Sequence, residues 1–147
     1  MAGESQSIIE DRLDGLAKRF RLVAMYSFGS RAAEVKELLA GRRSELSPAG
    51  SDLDIGVLPV RGRRLTARDR VRLSIALENL LDIGRVDLVV LPEAGPFLAL
   101  DVVCGELLCT TDADAEAAYQ LYVLRRAGDL APFEHLRRRM LIHREAP

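Results

Sequence analysis

Three short apolar runs, each stopped by a glycine or a proline and set apart by stretches with helical periodicity, constrain this chain more than any other feature. Residues 22–28 (LVAMYSF) run into Gly29, residues 53–58 (LDIGVL) into Pro59, and residues 86–91 (VDLVVL) into Pro92. Such runs of β-favouring residues ending on turn formers predict strands. Between them lie amphipathic segments. Over 5–20, Ile9, Leu13, Leu16, Ala17 and Phe20 recur at helical spacing. Over 30–39 (SRAAEVKELL) a helix is expected, with Ser30 placed to cap it. Thr66 and Asp69 form a capping pair for a helix running to about 83, whose stripe is Leu73, Ala76, Leu77, Leu80 and Leu81. Residues 41–51 are loop-like. After Pro92, a short apolar segment spans 96–104, an edge strand spans 105–110, and two helices, about 113–127 and 132–145, close the chain. The expected class is α/β (α+β), a small mixed β-sheet flanked by helices.

At 147 residues with 48% hydrophobic side chains, the chain suits a single domain with one sizeable core. Twenty-one basic and 22 acidic residues leave a net charge of −1, which argues against a protein that coats nucleic acid. No apolar run is long enough for a membrane span, and the polar opening MAGESQSIIEDR shows no signal peptide. Two cysteines, Cys104 and Cys109, are too few for a disulfide scaffold, so the expected compartment is the cytoplasm. The arginine-rich run 61–72 and the basic final segment 125–147 are read as solvated faces, with the last helix also offering a partner-binding edge around Arg137, Arg138 and Arg139.

The chemistry concentrates at three aspartates. Asp52 and Asp54 flank Leu53 at the start of a strand, so both project from one face while Leu53, Ile55 and Val57 take the other. Asp87 sits in a wholly apolar strand, where a carboxylate needs a cation, a donor or solvent at a cleft. Carboxylates on neighbouring strands suit Mg²⁺, which binds one or two carboxylates together with substrate phosphates. With 11 aspartates, chance alone supplies roughly 0.8 Asp-x-Asp pairs. A second pair, Asp112 and Asp114, precedes a helix and is read as capping. What raises the first pair above chance is the upstream stretch SFGSRAAEV. There Gly29 lets backbone approach a phosphate, Ser30 adds a hydroxyl, and Arg31 offers a guanidinium at a helix start.

The Gly-Ser turn, the strand SDLDIGVL and the strand RVDLVVL together resemble the nucleotidyltransferase superfold of DNA polymerase β type. Chain length and the ending AGPFLALDVVCGELLCTTDADAE resemble its minimal nucleotidyltransferase (MNT) branch, over about residues 23–136. Members of that branch are antitoxins paired with all-helical HEPN-type ribonuclease toxins, and the best understood transfer AMP from ATP to a toxin tyrosine. The resemblance implies that Asp52 and Asp54 hold two Mg²⁺ ions. It implies that Asp87 shares one and helps activate the attacking hydroxyl. Gly29 and Ser30 would grip the triphosphate, and the guanidinium of Arg31, read from the residue itself, could reach the phosphate tail.

One departure stands out: 21 residues separate Ser30 from Asp52, longer than is usual in the branch. About 34–50 is therefore read as an insertion, a helix and loop over the nucleotide cleft. Two alternatives stay open: an antitoxin that neutralises by binding alone, and nucleotidyl transfer to a small molecule such as an aminoglycoside. A homo-oligomer is compatible with either. The histidines His135 and His143 lack zinc-ligand company and are read as surface residues, Cys104 and Cys109 as small apolar fillers, and Tyr119 and Tyr122 as core or interface.

Overall fold

A computed structural model describes residues 2–48, 50 and 52–145, with the side chains of residues 2, 131 and 133–145 left out of the description. Helix α1 (Ala2–Arg19) leads through a tight turn into β1 (Leu22–Phe28). After a 3₁₀ turn at Gly29–Arg31 come α2 (Ala32–Leu39), β2 (Leu53–Pro59), α3 (Ala67–Leu81) and β3 (Val86–Val90). A second 3₁₀ turn precedes α4 (Pro96–Val103), β4 (Glu106–Thr110) and α5 (Ala113–Glu145). The strands form one mixed sheet in the order β3-β2-β1-β4, with β2 and β3 parallel and the other pairs antiparallel.

Alternation along the strands splits the core in two. Met25, Leu53, Ile55 and Val57 face α1, α2 and α3, where Leu13, Ala17, Val35, Leu38, Leu73 and Leu77 are buried. Ala24, Tyr26, Phe28 and Leu58 face the opposite layer, built from Ala99, Val102 and Val103 of α4 and Val123 of α5. Gly56 makes that second layer possible. A β-carbon there would run into Cγ1 of Val102, so only glycine lets α4 pack so close to β2. Burying each such aliphatic side chain is worth about 1.5–3 kcal/mol. On this face α5 is also held by a polar contact: the Tyr26 hydroxyl donates to Glu116, which Gln120 also contacts, and both Tyr26 and Glu116 are buried.

The capping box at Thr66 and Asp69 forms as expected, each residue bonding the other's backbone N–H at 3.1 Å. Helix α3 stops at Leu81, earlier than position 83, because Asp82 turns left-handed at φ 50°. Asp112 caps α5 by accepting from the Ala115 N–H at 3.0 Å.

Two expectations are corrected. Ser30 does not cap α2: the chain leaves β1 through left-handed Gly29 (φ +77°), takes one 3₁₀ turn, and reaches α spacing only at Ala32, with Arg31 at the cap position. The closing helices are one helix, since α5 continues through Pro132. A proline removes one backbone hydrogen bond, but its φ near −65° is itself helical. His135, His143 and Arg137–Arg139 fall where side chains lie outside the described residues.

The loop from α2 to β2 is tied down at two points. Leu46 is buried in the core, and Ser47 accepts a hydrogen bond through its carbonyl from Arg31. Among the described residues, no helix is long and apolar enough to cross a membrane.

Candidate active site

The site lies where β1 ends and the parallel strands β2 and β3 begin. Backbone register sets its core. Asp54 stands opposite Asp87 across the parallel pair, and Phe28, the last residue of β1, stands opposite Asp54 from the other side. Leu53 and Val86, one position earlier, point into the α1–α3 core, so Asp54 and Asp87 must project from the other face. Asp52, two residues before Asp54, precedes the strand on that same face. The structure thus brings all three aspartates to one edge, each partly exposed.

Gly29 closes the site from the β1 side. Its φ of +77° is a left-handed conformation, and a β-carbon there would lie 2.5 Å from Oδ2 of Asp54. The turn that follows exposes Gly29 and Ser30. Beside it opens a depression of about 500 Å³ lined by Phe28, Gly29, Ala32, Asp101, Cys104 and Glu106. A larger cavity of about 820 Å³, lined in part by Arg61, Arg63, Thr111 and Tyr119, lies at the opposite end of β1 and β2. It shares no residue with the aspartate edge.

Crowding of negative charge is visible at Asp54. Partial burial first, then the charges of Asp87 and Asp52, hold its carboxyl above the ordinary range. A residue that sequence reasoning passed over answers part of this. Arg85 places Nε 3.4 Å from Oδ2 of Asp52 and 3.6 Å from Oδ1 of Asp87. Its position two residues before Asp87, in the motif RVDLVVL, is the signal that could have found it. Among the described residues, no three His, Cys, Asp or Glu side chains are drawn together tightly enough to hold a metal ion as they stand. The donor chemistry nevertheless fits Mg²⁺: hard carboxylate oxygens share one face, one of them has its ionised form disfavoured by burial and by its neighbours, and a cation already contacts the other two.

Arg31 is placed differently from Gly29 and Ser30. Arg31 is 6% exposed, and its guanidinium donates to Glu34 at 2.8 Å and to the Ser47 carbonyl in the α2–β2 loop. Two of the six arginines in the 61–72 run are likewise engaged, Arg63 with the Phe20 carbonyl and Asp69, and Arg70 with the Leu65 carbonyl and Glu93. Cys104 is exposed; burial pushes the Cys109 thiol up to about 12, which suits an inert filler. Tyr119 packs on the α4–α5 core 5.9 Å from the exposed ring of Tyr122.

No protein-family profile and no curated protein sequence matches the chain. Solved structures do. A chain of a toxin–antitoxin complex crystallised with AMP-PNP superposes with a TM-score of 0.67 at 23% identity, over 90% of this chain and 98% of that one. A chain from the complex of a tri-AMPylated Shewanella oneidensis HEPN toxin with an MNT antitoxin gives 0.65 at 22%, over 93% and 98%. These two likenesses are of fold. A structure described as a minimal nucleotidyltransferase shares 30% identity, over 71% of this chain and 92% of that one, with a TM-score of 0.50.

Proposed function

This chain belongs to the minimal nucleotidyltransferase family, and we propose on that premise that it transfers AMP from Mg²⁺-ATP to a hydroxyl, a tyrosine of a HEPN-type toxin for which it is the antitoxin. The observation that carries the reading is the register of Asp54 against Asp87 with Gly29 closed down on Asp54. A scaffold or a pure binding module has no use for three carboxylates held together against their own repulsion. The complexes with AMP-PNP and with an AMPylated toxin support the nucleotide and the acceptor class.

In this reading Asp52, Asp54 and Asp87 hold the metal, which when bound stabilises charge on the attacking and leaving oxygens. Gly29 and Ser30 present the exposed turn to the triphosphate, and the depression beside them has room for the rest of the nucleotide. Asp87 accepts the proton of the acceptor hydroxyl as its oxygen bonds the α-phosphorus. The bond from that phosphorus to the bridging oxygen breaks, and pyrophosphate leaves with the electron pair. The protein's share is placement and charge, with no covalent intermediate. Arg31, turned to Glu34 and Ser47, serves by fixing the loop over 40–48 rather than by gripping phosphate. We read about 34–50 as an insertion that shapes this side of the cleft.

The test is an incubation of the full chain with the HEPN-type toxin encoded beside it, Mg²⁺ and ATP, followed by intact-mass measurement of the toxin. A gain of one or more AMP units, mapped to tyrosine, is the expected result. A tight complex with an unmodified toxin would overturn the transfer reading.

A further inference from the structure

Arg85 sits in the short connection between α3 and β3, and its backbone is fixed there. Its carbonyl accepts a hydrogen bond from the Leu53 N–H at 3.1 Å, and the next residue's N–H donates to Glu78 of α3 at 3.1 Å. Its side chain is free to move by comparison: it is 71% exposed, and its charged contacts are with Asp52 and Asp87. Nε lies 3.4 Å from one carboxylate and 3.6 Å from the other, in contact with both. Mg²⁺ binds oxygens at roughly 2.0–2.1 Å, so an ion shared by these two carboxylates competes with Nε for the same oxygens.

Resting on the nucleotidyl-transfer reading, we propose that Arg85 is a displaceable internal counter-ion. It bridges Asp52 and Asp87 in the metal-free protein and has to leave for a divalent cation to bind both, so it sets how tightly the empty site takes metal. Three observations converge on this. A single positive charge cannot balance three carboxylates, and the site remains short of cation. The bridge is exposed and its distances are long for an ion pair, so breaking it costs little. The anchored backbone keeps the guanidinium within reach, ready to return when the ion departs. Arg85 acts here as a positioning residue: it compensates the two carboxylates while the site is empty, and its part ends when the cation binds.

The experiment titrates Mn²⁺ alone, without nucleotide, into the full chain, and follows the free ion by electron paramagnetic resonance. Arg85→Gln is compared with wild type and with Arg64→Gln, which removes the same charge from the exposed loop before α3. The expected result is that Arg85→Gln binds Mn²⁺ roughly three- to tenfold more tightly, while Arg64→Gln does not. Melting in EDTA is expected to stay close to wild type for Arg85→Gln, which confirms that the variant folds, and to rise more on adding Mg²⁺ than wild type does. Unchanged or weaker Mn²⁺ binding by Arg85→Gln, or equal tightening by Arg64→Gln, overturns the proposal. If wild type binds no Mn²⁺, or binds it unaltered by Asp54→Asn, the site reading itself fails and the proposal with it.

Discussion

Gly29 and Asp54 meet so closely that a β-carbon on one would lie 2.5 Å from a carboxylate oxygen of the other. Turn and strand are therefore a single piece: the left-handed φ of +77° brings the Gly29 backbone onto Asp54, and Asp54 reaches Asp87 through the parallel register.

Gly29→Ala is expected to fail in two ways at once. Strain at this φ costs about 1–3 kcal/mol, and the new methyl pushes Asp54 out of line. A displacement of this kind lowers AMP transfer by about a hundredfold or more. Urea unfolding and transfer rates on the same preparation separate the two. A variant as active as wild type would show that the turn's closeness to Asp54 is irrelevant to chemistry.

Asp54→Asn removes a metal ligand and also a repelled charge. Transfer should fall on the order of a thousandfold. Melting in EDTA at neutral pH should occur at or above the wild-type temperature, because burial and the charges of Asp87 and Asp52 disfavour the ionised carboxyl. Calorimetry beside the transfer assay checks both. A variant that melts clearly lower would mean that Asp54 is held by a stabilising partner.

Tyr26→Phe strips a buried hydroxyl from Glu116 and should cost about 1–3 kcal/mol in urea. Burial, then the hydrogen bond and charge of Glu116, raise the Tyr26 hydroxyl above its ordinary value. The unfolded tyrosine ionises near pH 10 while the folded one keeps its proton, so this contribution is whole below about pH 10 and declines above it. The gap between wild type and variant should narrow with alkaline pH. A constant gap would show that the hydroxyl contributes only packing.

Ser27→Ala is expected to stabilise. Ser27 is fully buried, and its hydroxyl has no hydrogen-bond partner among the described residues. Removing it should raise the unfolding free energy by about 1 kcal/mol, read as a higher urea midpoint with an unchanged slope. A lower midpoint would mean that the hydroxyl has a partner, such as a buried water.

Local order was readable wherever neighbours in the chain decide it. The three apolar runs became β1, β2 and β3, the Thr66–Asp69 pair capped α3, and Asp112 capped α5, since periodicity and capping act over a few residues. The face of Asp54 followed from strand alternation alone, whereas Asp52 lies just before the strand and meets Asp87 through their shared contact with Arg85. What tertiary structure decided lies across longer separations. It set Asp54 level with Asp87, brought Arg85 into contact with both Asp52 and Asp87, and paired Arg31 with Glu34 and the Ser47 carbonyl. It also placed Ser30 in a 3₁₀ turn and carried α5 through Pro132. Register depends on how two cores pack on either side of one sheet, and a side chain's partner depends on which charges that packing brings within reach. Neither is encoded in a window of a few residues.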